Sequence, residues 1–332
     1  MIIHLKDNID QTKLGELAAK SEAVILKSDS FHKLITSFKT QELPSYLEDY
    51  TDSFYPMESD IQLANKDYCS DIKEIDLDTF KIGGNTNKTV LIAGPCSVES
   101  EEQINASAEY LVSLGLKTLR AGCFKPRTTP YSFQGLGMEG LKLLAKMRDK
   151  YGLKIVTEVR DSTHVQDVIE YSDVIQIGAK SMYDHGILKA CGKQNKPVLL
   201  KRGFGTTLQE FVQCAEFILS SGNPNVILCE RGLRTFETKT RFTLDLCGVA
   251  FLKEKVNLPI ILDPSHAMGH SYGVPDLARA CTAMNIDGLL IEMHPNPKVA
   301  KSDAAQQLNF EEFGALKKTL GPIAQAVGKQ II

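Results

Sequence analysis

Pro259-Ile260-Ile261-Leu262-Asp263-Pro264-Ser265-His266 is four apolar residues followed at once by residues that can do chemistry. The same grammar recurs along the chain. Thr89–Gly94 leads into Pro95-Cys96, Thr118-Leu119 into Arg120, Lys154–Thr157 into Glu158, and Val174–Ala179 into Lys180. Pro197–Leu200 leads into Lys201, Val226–Cys229 into Glu230-Arg231, and Gly288–Ile291 into Glu292. Short apolar runs of this kind fit parallel strands buried on both faces. Between them lie amphipathic helices, with Ile104, Ala108, Leu111 and Leu114 on one face and Phe211, Cys214, Ala215 and Ile218 on another. Ser100 with Gln103, and Thr207 with Glu210, have capping-box spacing. Strand–helix alternation over roughly 245 residues predicts a (β/α)8 barrel spanning 89–332, with its active site where the strand tips converge. A doubly wound sheet is the alternative, but no glycine fingerprint follows the first strand.

The first 66 residues read differently. Strands over Met1–Leu5, Ala23–Lys27 and Lys33–Phe38, a helix over Gln11–Lys20, a short helix over Leu43–Tyr50 and a last strand over Ser59–Ala64 make a ferredoxin-like α+β order. Residues 67–88 link the two parts. In them Ile75, Leu77, Phe80 and Ile82 suggest a hairpin ending at Gly83-Gly84-Asn85, placed to cover the closed end of the barrel.

Composition excludes several classes. The 332 residues are 43% hydrophobic and 24% charged, with a net charge of −3, which argues against a nucleic-acid-binding protein. No apolar run approaches the ~20 residues of a membrane helix. The N-terminus lacks a signal-peptide pattern. The eight cysteines, scattered through apolar segments, suit reduced thiols and a cytoplasmic protein.

The predicted tips fall into two sectors. Cys96, His266 and Glu292 follow strands that adjoin in a closed barrel, and Asp303 lies in the loop after the last. A thiolate, an imidazole and two carboxylates suit Mn²⁺, Fe²⁺, Co²⁺ or Zn²⁺ with a position left for substrate. Arg120, Lys125, Arg127, Lys180, Lys201, Arg202 and Arg231 sit at or beyond other tips. So many cations at one mouth call for anionic guests, phosphate and carboxylate. Lys125-Pro126-Arg127-Thr128-Thr129-Pro130 is the densest piece, stiffened by two prolines. Two anion subsites and a metal point to a two-substrate reaction.

At these residues the chain resembles 3-deoxy-D-arabino-heptulosonate-7-phosphate (DAHP) synthases of the type I beta subgroup. The matching segments include Ala93–Ser97, Lys125–Pro130, Gln176–Ala179, Pro197–Gly203, Cys229–Gly232, Asp263–His266 and Glu292–Pro295. The resemblance implies condensation of phosphoenolpyruvate with erythrose 4-phosphate, the first step of aromatic amino-acid biosynthesis by the shikimate pathway. It implies a divalent metal on Cys96, His266, Glu292 and Asp303. Phosphoenolpyruvate would be bound by Arg120, Lys125, Lys180, Lys201 and Arg231, and erythrose 4-phosphate by Pro126, Arg127, Thr128 and Thr129. Lys125 would handle a proton and Glu158 would orient water. Family members usually carry arginine where this chain has Lys180, so the two-pronged grip is lost there. The N-terminal unit resembles a regulatory domain that closes over the barrel mouth when tyrosine or phenylalanine binds, and the family commonly forms homotetramers.

Three rivals remain at this point. A 3-deoxy-octulosonate-phosphate synthase would take arabinose 5-phosphate, but its second-substrate loop reads Lys-Ala-Asn-Arg-Ser. A Schiff-base aldolase would use Lys201 as nucleophile. A metabolite sensor would keep the barrel without the chemistry.

Overall fold

Four strands open the chain: β1 (Ile2–Leu5), β2 (Val24–Lys27), β3 (His32–Ile35) and β4 (Thr51–Tyr55), with helix α1 (Gln11–Lys20) after β1. The computed structural model describes residues 1–7, 9–27, 31–125 and 129–332. Asp10 starts α1 by accepting from the Lys13 N–H at 2.9 Å. The strands pair antiparallel in the order β2-β3-β1-β4, the ferredoxin-like order. The expected second helix is only a 3₁₀ turn, Ser45–Tyr50. The last strand is Thr51–Tyr55, not the predicted Ser59–Ala64. Leu63 and Ala64 are buried because they pack into the barrel's core, which mimics a strand's apolar signal without one. Alternation along β1 divides its side chains. Ile3 and Leu5 pack on Leu14, Leu17 and Ala18 of α1, while Ile2 joins the barrel core from the opposite face.

A hairpin of β5 (Glu74–Asp76) and β6 (Lys81–Gly83) follows. Then come β7 (Lys88–Gly94), β8 (Thr118–Arg120), β9 (Lys154–Val159), β10 (Val174–Ile177), β11 (Val198–Lys201), β12 (Val226–Glu230), β13 (Ile260–Leu262) and β14 (Gly288–Glu292). From β8 to β14 each strand pairs parallel with the next, and β14 returns to pair with β7. At the β7–β8 seam Thr118 Oγ1 donates to Leu91 O at 3.0 Å, and Val98 N donates to Gly122 O at 3.0 Å. A short β15 (Gln330–Ile331) adds to the outer start of β7. Around the barrel run α2 (Glu101–Ser113), α3 (Met138–Tyr151), α4 (Val165–Tyr171), α5 (His185–Gly192), α6 (Leu208–Ser220), α7 (Leu246–Lys255), α8 (Pro264–Met268), α9 (Val274–Ala283) and α10 (Phe310–Ala326). Thr207 and Glu210 form the predicted capping box on α6.

Inside the barrel, Val90, Ile92, Val156, Val174, Leu199, Ile227, Ile261 and Leu290 form one apolar layer with Ile75, Leu77, Phe80 and Ile82 of the hairpin. The hairpin therefore seals the end where the strands begin, leaving the opposite end for chemistry. The segment before the hairpin is clipped to α6: Glu216 Oε1 accepts from the backbone N–H of Gln62 at 2.9 Å and of Ala64 at 2.8 Å.

Candidate active site

Each predicted strand tip delivers its side chain at the C-terminal end of its strand. Gly94 closes β7 at φ +148°, and a Cβ there would meet Arg120 O at 2.1 Å. Only glycine lets β7 approach β8 so closely, and that approach sets Cys96 beside the tip of β8.

The donor atoms of Cys96, Glu292 and Asp303 lie within 4.8 Å of one another. His266 Nε2 adjoins them, 3.5 Å from Glu292 Oε1. The Cys96 thiol donates to Asp303 Oδ2 at 3.3 Å and accepts from Lys125 Nζ at 3.0 Å. Burial pushes the Cys96 thiol up to about 12, with Glu292 and Asp303 adding to the shift. Burial would also raise Glu292, but His266 and Arg120 hold it below the ordinary carboxylate value. Asp303 is likewise held below its ordinary value against its burial, chiefly by His266 and Arg241. Burial lowers His266, favouring the neutral imidazole that a metal requires. One soft and three harder donors at this spacing fit a divalent transition ion, which would take the place of the proton shared by Cys96 and Asp303.

Several groups hold these donors. Asp303 stands in the left-handed region at φ 45°. Its loop is tied to the one after β7 by Ser97 Oγ with Ser302 Oγ at 2.6 Å, and by Cys96 N donating to Gln307 Oε1 at 3.0 Å. Gln306 Nε2 donates to Glu292 Oε2 at 2.6 Å, and Arg120 pairs with the other Glu292 oxygen. Behind them the buried Glu99 carboxylate takes the Lys301 N–H at 2.9 Å and faces His294 Nε2 at 3.5 Å.

Beside this cluster opens a cavity of about 470 Å³. Lys125, Lys180, Lys201 and Arg231 line it, as do Glu158, His266 and Asp303. Arg231 is buried and lies 4.1 Å over the Phe242 ring; burial lowers its pKa. Its Nη1 finds no hydrogen-bond partner among the described residues, which leaves a buried donor aimed for an anion. Lys125 Nζ reaches both sectors, donating to the Cys96 carbonyl at 3.1 Å as well as to its sulfur. Glu158 accepts from Gln176 Nε2 and packs against Gly178, where a Cβ would strike its carboxylate. Arg120 is buried and, held by Glu292 and the Pro95 carbonyl, does not line the cavity. Arg202, expected among the mouth cations, is instead turned to Glu230, Asp245 and the Thr206 carbonyl. Thr129 is exposed and lines no part of the cavity; Pro126, Arg127 and Thr128 lie outside the described residues.

Sequence reading missed Phe204, Arg234, Arg241 and Phe242, which also line the cavity. Arg234 stacks 4.8 Å over Phe204, and Arg241 contacts Asp303 Oδ1 at 3.4 Å. They stand in loops, where no periodicity marks them; only arginines alternating with phenylalanines signalled a stacked rim. Asp263 opens the motif Asp263-Pro264-Ser265-His266, whose spacing alone carries no sign of a role for it. It is fully buried, pairs with Lys201 Nζ, and its Oδ2 lies 2.7 Å from His266 Nδ1.

The sequence model of the DAHP synthetase I family matches residues 68–327. A phospho-2-dehydro-3-deoxyheptonate aldolase of Thermotoga maritima is 45% identical over 270 residues, 81% of this chain and 79% of that one. A 2-dehydro-3-deoxyphosphooctonate aldolase of Francisella tularensis subsp. holarctica is 32% identical over 74% of this chain and 96% of its own length. Among solved structures, the Thermotoga maritima DAHP synthase superposes with a TM-score of 0.80 at 38% identity, covering 100% of this chain and 98% of that one. A truncated form of that enzyme covers 82% of this chain, with a TM-score of 0.77.

Proposed function

The chain belongs to the DAHP synthetase I family, and on that premise we propose that it is a transferase condensing phosphoenolpyruvate with erythrose 4-phosphate and water to give DAHP and phosphate. The observation that carries the reading is a cation-lined cavity sharing one lysine, Lys125, with the Cys96–Glu292–Asp303 cluster.

Lys125, Lys180, Lys201 and Arg231 bind the phosphate and carboxylate of phosphoenolpyruvate, with Arg120 adding positive charge from beneath. Fixed, desolvated cations of this kind hold an anion without reorganising during the reaction. Pro126, Arg127, Thr128 and Thr129 receive erythrose 4-phosphate. A divalent metal fits Cys96, His266, Glu292 and Asp303, where it supplies Lewis acidity to the sugar aldehyde when bound. The C3 carbon of phosphoenolpyruvate forms the new bond to the aldehyde carbon. Lys125 gives its proton to the oxygen that gains charge there. Water, oriented by Glu158, adds at C2; one of its protons restores Lys125 and the other leaves with phosphate, which departs with its bridging oxygen as the C2 ketone forms. The ion pair of Lys201 with Asp263 suits anion binding better than Schiff-base formation.

The same reading assigns residues 1–66 to feedback control by tyrosine or phenylalanine, and the protein to a cytoplasmic homotetramer. No helix among the described residues is long and apolar enough to cross a membrane.

Phosphate release from phosphoenolpyruvate tests the reaction. Turnover is expected with erythrose 4-phosphate and its loss with a chelator. Preferred turnover of arabinose 5-phosphate would make the chain an octulosonate-phosphate synthase instead.

A further inference from the structure

We propose that Asp263 is a positioning residue that couples metal binding to phosphoenolpyruvate binding. The inference rests on the substrate and metal assignments above. Asp263 follows directly on β13 with no exposure to solvent. Its Oδ1 accepts the His266 backbone N–H at 2.9 Å and starts α8, with Pro264 in the first turn. Its Oδ2 is shared: Lys201 Nζ donates to it, and His266 Nδ1 lies 2.7 Å away, off the hydrogen-bond axis. One oxygen thus faces a lysine of the anion cavity and a histidine of the donor cluster. Ser265, in the same turn, accepts the Glu292 N–H at 2.9 Å, so the turn also registers a second donor.

The two partners draw on one charge. In the structure Lys201 and His266 share the field of Oδ2. A phosphate in the cavity turns Lys201 toward itself, and Oδ2 then faces His266 alone. A carboxylate behind the ring fixes its orientation and keeps Nε2 facing the donor cluster. Phosphoenolpyruvate therefore tightens the metal, and by reciprocity the metal tightens phosphoenolpyruvate.

Asp263→Asn keeps the shape and, in either amide orientation, sets an NH2 group against a donor. The test measures the Mn²⁺ dissociation constant by chelator competition, with and without phosphoenolpyruvate, alongside the KM of each substrate. In the wild type, phosphoenolpyruvate is expected to lower the Mn²⁺ dissociation constant at least about threefold. In Asp263→Asn, Mn²⁺ affinity falls about 10–100-fold, the KM for phosphoenolpyruvate rises, the KM for erythrose 4-phosphate stays within about twofold, and the coupling disappears. An unchanged Mn²⁺ affinity in the folded variant overturns the proposal, as does an equal loss for both substrates. Should the variant not fold, the wild type decides: no effect of phosphoenolpyruvate on Mn²⁺ overturns it. Wild-type phosphate release with erythrose 4-phosphate is scored separately, so failure of the coupling is distinct from failure of the assigned reaction.

Discussion

At the scale of single residues, the cluster's chemistry turns on one sulfur. Cys96→Ser removes the soft donor while keeping a hydrogen-bonding group of similar size. Metal retained after dialysis is expected to fall, and phosphate release to drop about a hundredfold; unchanged metal content would remove Cys96 from the ligand set. Lys180 is the position where the resemblance expects arginine. Lys180→Arg restores a fork that can grip two oxygens. It is expected to lower the KM for phosphoenolpyruvate about threefold, a gain of about 0.7 kcal/mol, with kcat little changed in steady-state assays. Cys96, His266, Glu292, Lys201 and Arg231 are placed by the sequence pattern because each stands at or just past the end of a buried strand, which fixes where the next side chain goes; Asp303 and Lys125 come from loops farther on. Asp263 was not legible, because a buried acid that only touches other site residues looks in sequence like any turn-starting aspartate. Arg234 and Arg241 were not, because the loop that brings them over the cavity has no repeating pattern.

At the scale of elements, Glu216 on α6 fastens the stretch that joins the small sheet to the barrel. Burial raises its pKa, even though the backbone donors of Gln62 and Ala64 favour its charged form. The folded state therefore binds this proton more tightly than the unfolded chain does. Its contribution to stability is complete below the unfolded pKa and is lost as pH rises through the folded one. Glu216→Gln keeps the accepting oxygen without the buried charge, so its Tm should equal or exceed that of the wild type at pH 7 and vary less between pH 4 and 7. Glu216→Ala loses the acceptor and should lower Tm by the equivalent of about 1–3 kcal/mol. Thermal unfolding across pH checks both. The same region shows why β4 was misplaced. Its sequence, Thr-Asp-Ser-Phe-Tyr, is an edge strand with two exposed positions and a weak apolar signal. The stronger signal nearby, Ile61 to Ala64, belongs to a segment pressed on the barrel. The barrel strands were read to within a residue or two because both their faces are buried and their apolar runs are unbroken.

At the scale of the whole molecule, the small sheet is joined to the barrel through core as well as chain. Ile2, Ile35, Met57, Leu63 and Ala64 share one apolar cluster with the barrel helices. Deleting residues 1–66 is expected to keep phosphate release within about tenfold, lower Tm, and abolish inhibition by tyrosine or phenylalanine. Inhibition that survives the deletion would separate regulation from this sheet. The barrel's own closure carries a further consequence, for how the protein is made. β7 is the first barrel strand to leave the ribosome, yet its partner β14 is made some two hundred residues later. At ~5–20 residues per second that is a wait of roughly 10–40 s. Throughout it, Val90, Leu91, Ile92 and Ala93 form an apolar strand with an unsatisfied edge, open to pairing with a neighbouring nascent chain. The seam that brings Cys96 and Glu292 together thus joins the first barrel strand made to the last, and the open edge of β7 is exposed for most of the barrel's synthesis.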